Sequence, residues 1–108
     1  MLKVMGTKIW LTRGDSAFLQ LTIMNEDGTP YEMQDGDIVL FTVKRSVNDK
    51  DLLFQKRMDN GVVEITPEDT ENLAYGDYVY DCQLKTFEGI VQTFITPSQF
   101  RVLEEVTY

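Results

Sequence analysis

Apolar and polar side chains alternate along most of this chain, and that alternation limits its folding more than any other feature. Tyr78, Tyr80, Cys82 and Leu84 interleave with Val79, Asp81, Gln83 and Lys85. Successive side chains of an extended strand point to opposite faces, so the pattern predicts a strand with one buried face. The same period places Ala17, Leu19, Leu21 and Ile23 on one face of residues 17–24, and Ile9 with Leu11 on one face of residues 8–13. Residues 38–44 are nearly continuous Val, Leu, Phe and Thr, which reads as a central strand buried on both faces. Residues 52–57, 62–65 and 90–96 read as further strands, and a last one, holding Phe100, Val102 and Val106, runs to the end.

The joints have their own chemistry. Gly and Asp at 13–16, 25–30, 35–37, 59–61 and 87–89 supply the positive φ angles and side-chain bonds that turns use. Pro97-Ser98 is expected to break the ladder between the last two strands. One helix interrupts the pattern. Thr66 can cap it, Pro67 suits its first position, and Glu68 and Asp69 favour the positive end of its dipole. The helix is expected over 67–74, with Leu73 facing inward and Gly76 releasing the chain. About seven strands with close turns and one short helix predict an all-β sandwich or small barrel. A length of 108 residues makes it a single domain, 1–108.

Charge and missing residue types exclude several functions. Lys plus Arg number 10 against 18 Asp plus Glu, a net charge of -8. No nucleic acid and no anionic membrane is an expected partner, because both demand clustered cations. There is no His, so the commonest general base and metal ligand is missing. The one Cys, Cys82, can build neither an internal disulfide nor a thiolate zinc site, and it reads as a small buried hydrophobe. The expectation is a non-enzyme with no catalytic residues, no cofactor and no metal. The start of the chain has no apolar core or cleavage site of a signal peptide, and apolar runs stay far below the ~20 residues that span a bilayer.

Several short signals read as ordinary structure. Arg13-Gly14-Asp15-Ser16 carries the integrin-binding string, but Gly and Asp also make a plain strand-to-strand turn. Asn25, Asp27, Asp35 and Asp37, like Asp49 and Asp51, fit no calcium-loop register and read as turn residues. Asp77 and Asp81, four apart on a strand, stand about 13 Å apart, too far for paired-carboxylate glycoside chemistry. Tyr31, Tyr75, Tyr78, Tyr80 and Tyr108 could form a platform for sugars or protein, though Tyr78 and Tyr80 read as core.

Residues 65–84, around Gly76-Asp77-Tyr78-Val79-Tyr80-Asp81, resemble a segment of structural proteins from tailed phages and prophages of Gram-positive bacteria. So do Gly89, the β run after it, Thr96-Pro97-Ser98-Gln99-Phe100-Arg101-Val102 and Glu105-Val106-Thr107. The family most resembled is the immunoglobulin-like N-terminal domain of phage upper baseplate proteins. The resemblance implies an immunoglobulin-like antiparallel β-sandwich whose short helix precedes the Gly76–Tyr80 strand. It also implies a virion protein made in the bacterial host cytoplasm. In the family a distal domain follows this module, whereas this chain ends at Tyr108, and the expectation is an adaptor or structural subunit in a tail, baseplate or neck. Its partners would be other tail or baseplate proteins, with a homo-oligomer a further expectation. The alternative function is a carbohydrate- or receptor-binding β-sandwich module. Unpaired sheet edges are natural contact sites, and residues 8–13 and 100–107 are the expected edges. Ile9, Trp10, Leu11, Leu103 and Tyr108 are the candidate interface residues, with Trp10 of the type that anchors interfaces.

Overall fold

The computed structural model describes residues 2–105. Eight strands and one helical turn follow each other as β1 (Leu2–Met5), β2 (Lys8–Thr12), β3 (Ala17–Gln20), β4 (Ile38–Lys44), β5 (Phe54–Arg57), β6 (Val62–Ile65), α1 (Pro67–Thr70), β7 (Gly76–Lys85) and β8 (Val91–Leu103). A six-stranded sheet runs β1-β2-β8-β7-β4-β5, and β3 pairs with β6 in a second, two-stranded sheet. Among the described residues no helix is long and apolar enough to cross a membrane.

Inward side chains of both sheets meet in one core. Ile9 and Leu11 of β2, Leu19 of β3, Phe41 and Val43 of β4, Val63 and Ile65 of β6 all belong to it, with Tyr78, Tyr80 and Cys82 of β7 and Phe100 and Val102 of β8. The alternation of β7 holds: Tyr78, Tyr80, Cys82 and Leu84 are buried. Rings dominate the centre. Phe41 stacks on Tyr80 with centroids 4.9 Å apart, and Phe100 meets Phe41 edge-on at 6.2 Å. Offset and edge contacts of this kind add to what burial alone contributes.

The expected turns organise the connections. Asn60 and Gly61 both have positive φ, and Asp59 and Val62 exchange backbone bonds of 2.8 and 3.0 Å across them. That is the two-residue hairpin an Asn-Gly pair favours. It does not propagate, because β5 joins the large sheet and β6 the small one. The helix is shorter than the expected 67–74: only Pro67–Thr70 is helical. Asp69 accepts bonds from the Thr66 backbone N–H at 2.8 Å and the Thr66 hydroxyl at 3.1 Å, closing the turn.

Four expectations change. First, the sheet is mixed, not wholly antiparallel: β2 runs parallel to β8, Ile9 beside Phe100 and Leu11 beside Val102. Alternation records which face a side chain takes, not the direction of the neighbouring strand. Second, β4 is not buried on both faces; Val39, Phe41 and Val43 are buried while Ile38, Leu40, Thr42 and Lys44 are half-buried. The second sheet covers one face only. Third, Pro97 does not divide two strands, for β8 continues through it. The β7–β8 register shifts between Tyr80/Cys82 and again between Cys82/Gln83. Tyr80 faces Ser98, Cys82 faces Ile95 and Gln83 faces Thr93, so β8 holds one extra residue within Thr96–Pro97 and another at Phe94, and bulges are where a strand tolerates a proline. Fourth, β1 was not expected from the sequence, yet it covers β2 along Lys8–Leu11.

Candidate interaction surface

The expected interface residues separate. Ile9 and Leu11 are 3% and 0% exposed, so both belong to the core and offer a partner no surface. The correction follows from β2 lying inside the sheet, between β1 and β8. The end of β8 is likewise interior, since Phe100–Leu103 pair with β2 and Gly76–Tyr78 pair with the same stretch from the other side. Neither expected edge is therefore an edge over its described residues. Trp10 and Leu103 are half-buried. Trp10 Nε1 donates to Gln99 Oε1 at 3.1 Å, and Gln99 Nε2 donates to Asp77 Oδ1 at 2.9 Å. These bonds tie Trp10 into a polar ladder across β2, β8 and β7, joined by Arg101 at 3.7 Å from Asp77. Tyr108 lies outside the described residues, as do Val106 and Thr107.

Besides the terminal strands β1 and β5, a further free edge lies within β8. β2 reaches β8 only from Phe100 onward, and Thr7, at the β1–β2 turn, meets Ser98 through a 2.9 Å hydroxyl bond. Among the described residues, positions 91–96 of β8 pair with β7 on one side and with no strand on the other. A cleft of about 650 Å³ runs beside this edge, lined by Ile23, Met24 and Glu26 on one wall and Gln92, Thr93 and Phe94 on the other. A smaller one of about 300 Å³ continues it between Phe18, Leu21 and Thr22 and the side of Ile95 and Tyr80.

Two further observations set this edge apart. Residues 89–100 form the longest stretch of the chain without an Asp, Glu, Lys or Arg, and residues 16–25 form the second longest. The fold sets parts of the two beside each other along the clefts, with Glu26 the one charged side chain among the lining residues. Nine large hydrophobic side chains are exposed among the described residues, and five of them (Phe18, Met24, Phe87, Ile90 and Val91) border this edge or its adjoining turn. Clustered exposed apolar groups mark contact sites more than scattered ones do. The signal was present in the sequence as a charge-free run, but only the strand order makes it an edge.

The turn at the start of β8 is held in place. Gly89 N–H donates to Thr86 O at 2.9 Å, and Ile90 N–H to the Thr86 hydroxyl at 3.1 Å. Phe87, 81% exposed, lies over Gly36, where a Cβ would come within 2.9 Å of its ring. Asp37 links the two loops: it accepts from the Tyr31 hydroxyl at 2.5 Å, from the Gln34 N–H at 3.0 Å and from the Phe87 backbone. The Tyr31 bond, then the two backbone bonds, hold its carboxyl below the usual carboxylate range.

The remaining sequence signals serve the fold. Arg13 is occupied, 2.6 Å from Glu105 and 4.3 Å above the Tyr75 ring, and the Gly14 N–H donates to the buried Thr70 hydroxyl at 2.8 Å. Asp27 accepts from the Thr29 hydroxyl at 2.6 Å and its N–H at 3.0 Å. Among the described residues no three acidic or Cys side chains gather as a metal site. Tyr78 and Tyr80 are core, Tyr31 bonds Asp37, and Tyr75 lies under Arg13, so these four form no common platform. Burial pushes the Cys82 thiol up to about 12, with Asp81 adding to the shift, which keeps it a protonated core side chain at neutral pH. No protein-family model, curated protein or solved structure matches this chain.

Proposed function

We propose that this chain is a non-enzymatic structural module of a phage or prophage tail or baseplate, an immunoglobulin-like β-sandwich that acts as an adaptor through protein–protein contacts. The observation that carries the reading is the gathering of exposed apolar side chains around a charge-free stretch of β8 that, among the described residues, has one side unpaired, in an otherwise strongly acidic chain. Such an edge is a template for another chain.

The finer fold assignment has its own support. Immunoglobulin-type sandwiches divide their strands so that the second and fifth share one layer while the third, sixth and seventh share the other. Here β3 and β6 share one sheet and β4, β7 and β8 the other, with β5 added beside β4. The Tyr78 hydroxyl, near the start of β7, donates to Ala74 O at 2.7 Å, four residues upstream. A bond of the same kind, from a Tyr at the start of the corresponding strand, is the tyrosine corner of immunoglobulin domains, which supports the assignment. The Phe41–Tyr80 stack fills the core centre that an aromatic ring and a disulfide fill in antibody domains.

Carboxylates bound to their own turns, as Asp27, Asp37 and Asp69 are, favour a structural use of the acidic residues over a catalytic one. The test is direct binding of the purified chain to tail and baseplate proteins encoded beside its gene, run with a glycan array. Binding to a tail protein with a silent array supports the adaptor reading. Specific glycan binding without tail-protein binding overturns it in favour of the carbohydrate-binding alternative.

A further inference from the structure

We propose that the first half of β8 pairs with the same strand of a second copy of this chain, antiparallel about a two-fold axis, joining two six-stranded sheets edge to edge. The inference rests on the assembly reading above and names the surface and the occupant.

Charge selects the occupant. Two chains of net charge -8 repel, and an uncharged stretch is a place where two copies can meet without opposing like charges. The two terminal strands of the large sheet carry charge, Lys3 in β1 and Lys56 and Arg57 in β5, whereas residues 89–100 carry none. An incoming strand must be extended, uncharged and have a free side; the same stretch of a second copy meets all three conditions. Full overlap of residues 91–96 sets Val91 opposite Thr96 and Gln92 opposite Ile95, and the two-fold makes the contact isologous and closed.

Area and shape fit the same answer. Six residues of strand extend only about 20 Å, and backbone pairing alone falls short of the ~1,200 Å² a specific interface buries. Phe87, Ile90 and Val91 at one end, with Met24 and Phe18 along the clefts, supply apolar surface beside the edge. One register shift against β7 falls at Thr96–Pro97, at the far end of this stretch, and the other at Phe94, within it. Bulges and prolines stop a sheet edge from extending indefinitely, so a pair forms and a fibre does not.

The experiment is sedimentation equilibrium on the full chain, with Thr93→Lys and Val91→Lys at exposed positions of the edge and Gln55→Lys on the β5 edge as control. Circular dichroism checks that each variant is folded, and the two β8 variants stand in for each other if one is not. The wild type and Gln55→Lys are expected at twice the 12.5 kDa chain mass, and the folded β8 variant at half that assembly mass. Backbone amides of residues 91–95 are expected to exchange more slowly in the concentrated wild type than in the β8 variant. A wild type of single-chain mass at the highest soluble concentration overturns the proposal. So does a folded Thr93→Lys or Val91→Lys that keeps the doubled mass, or a Gln55→Lys that loses it. A monomer that still binds a tail protein sinks the self-pairing and leaves the adaptor reading standing. A pair that binds no tail protein does the reverse.

Discussion

Replacing Tyr80 by Phe gives a test with two signatures that must appear together. Tyr80 is 3% exposed and its hydroxyl donates to the backbone oxygen of Thr7, 73 residues away, anchoring the β1–β2 turn against β7. Thr7 is exposed, so water can replace the lost donor, and the cost at neutral pH falls at the level of a net hydrogen bond, about 0.5–1.5 kcal/mol. The second signature is alkaline. Burial, with a smaller push from Cys82, raises the Tyr80 phenol from 10.0 to about 12. Between those values the unfolded chain has lost this proton and the native protein still holds it. Stability therefore falls as pH rises through that window, by up to about 1.4 kcal/mol per pH unit for this one group. Phe carries no such proton. The variant starts less stable, and its deficit shrinks above pH 10 until the two curves meet, within roughly one pH unit by the same arithmetic. Cys82 titrates late in both proteins and cancels to first order. Urea unfolding followed by circular dichroism, at intervals from pH 7 to the alkaline limit, reads the difference directly. A deficit that stays constant or widens above pH 10 would refute the reasoning, since it would mean that the buried phenol titrates no later than a free one.

Three further outcomes follow from the same contacts. Gly36→Ala places a Cβ 2.9 Å from the Phe87 ring on a backbone with φ of +87°, and thermal melts should show a loss of about 1–3 kcal/mol. Asp69→Ala removes the carboxylate that closes the α1 turn and meets Lys56 at 2.8 Å, and chemical denaturation should read about 1–2 kcal/mol; an unchanged midpoint would show the turn forms without it. Asp37→Asn weakens the bonds to Tyr31, Gln34 and Phe87, so hydrogen exchange at the Gln34 and Phe87 amides should quicken while that of β7 core amides stays the same. Because the Asp37 carboxyl sits below its ordinary range, its contribution is present above the unfolded carboxylate pKa and fades as pH falls toward its folded value. The wild type should lose this loop protection in acid, and the variant should show no such dependence.

Sequence alone determined the local features of this protein. The inward face of β7, the Asn60-Gly61 hairpin and the Thr66-Pro67 helix start all depend on neighbours a few residues apart, and steric preference within that span fixes them. It also held the charge-free run that borders the free edge. Tertiary structure decided the rest. Period two cannot tell an interior strand from an edge, so Ile9 and Leu11 could be assigned a face but not a place in the sheet until β1 was found covering β2. The parallel β2–β8 pair joins residues some ninety positions apart, and Pro97 lies where the β7–β8 register shifts. Strand partnership is settled by contacts between distant segments closing one core, which no local window of the chain contains.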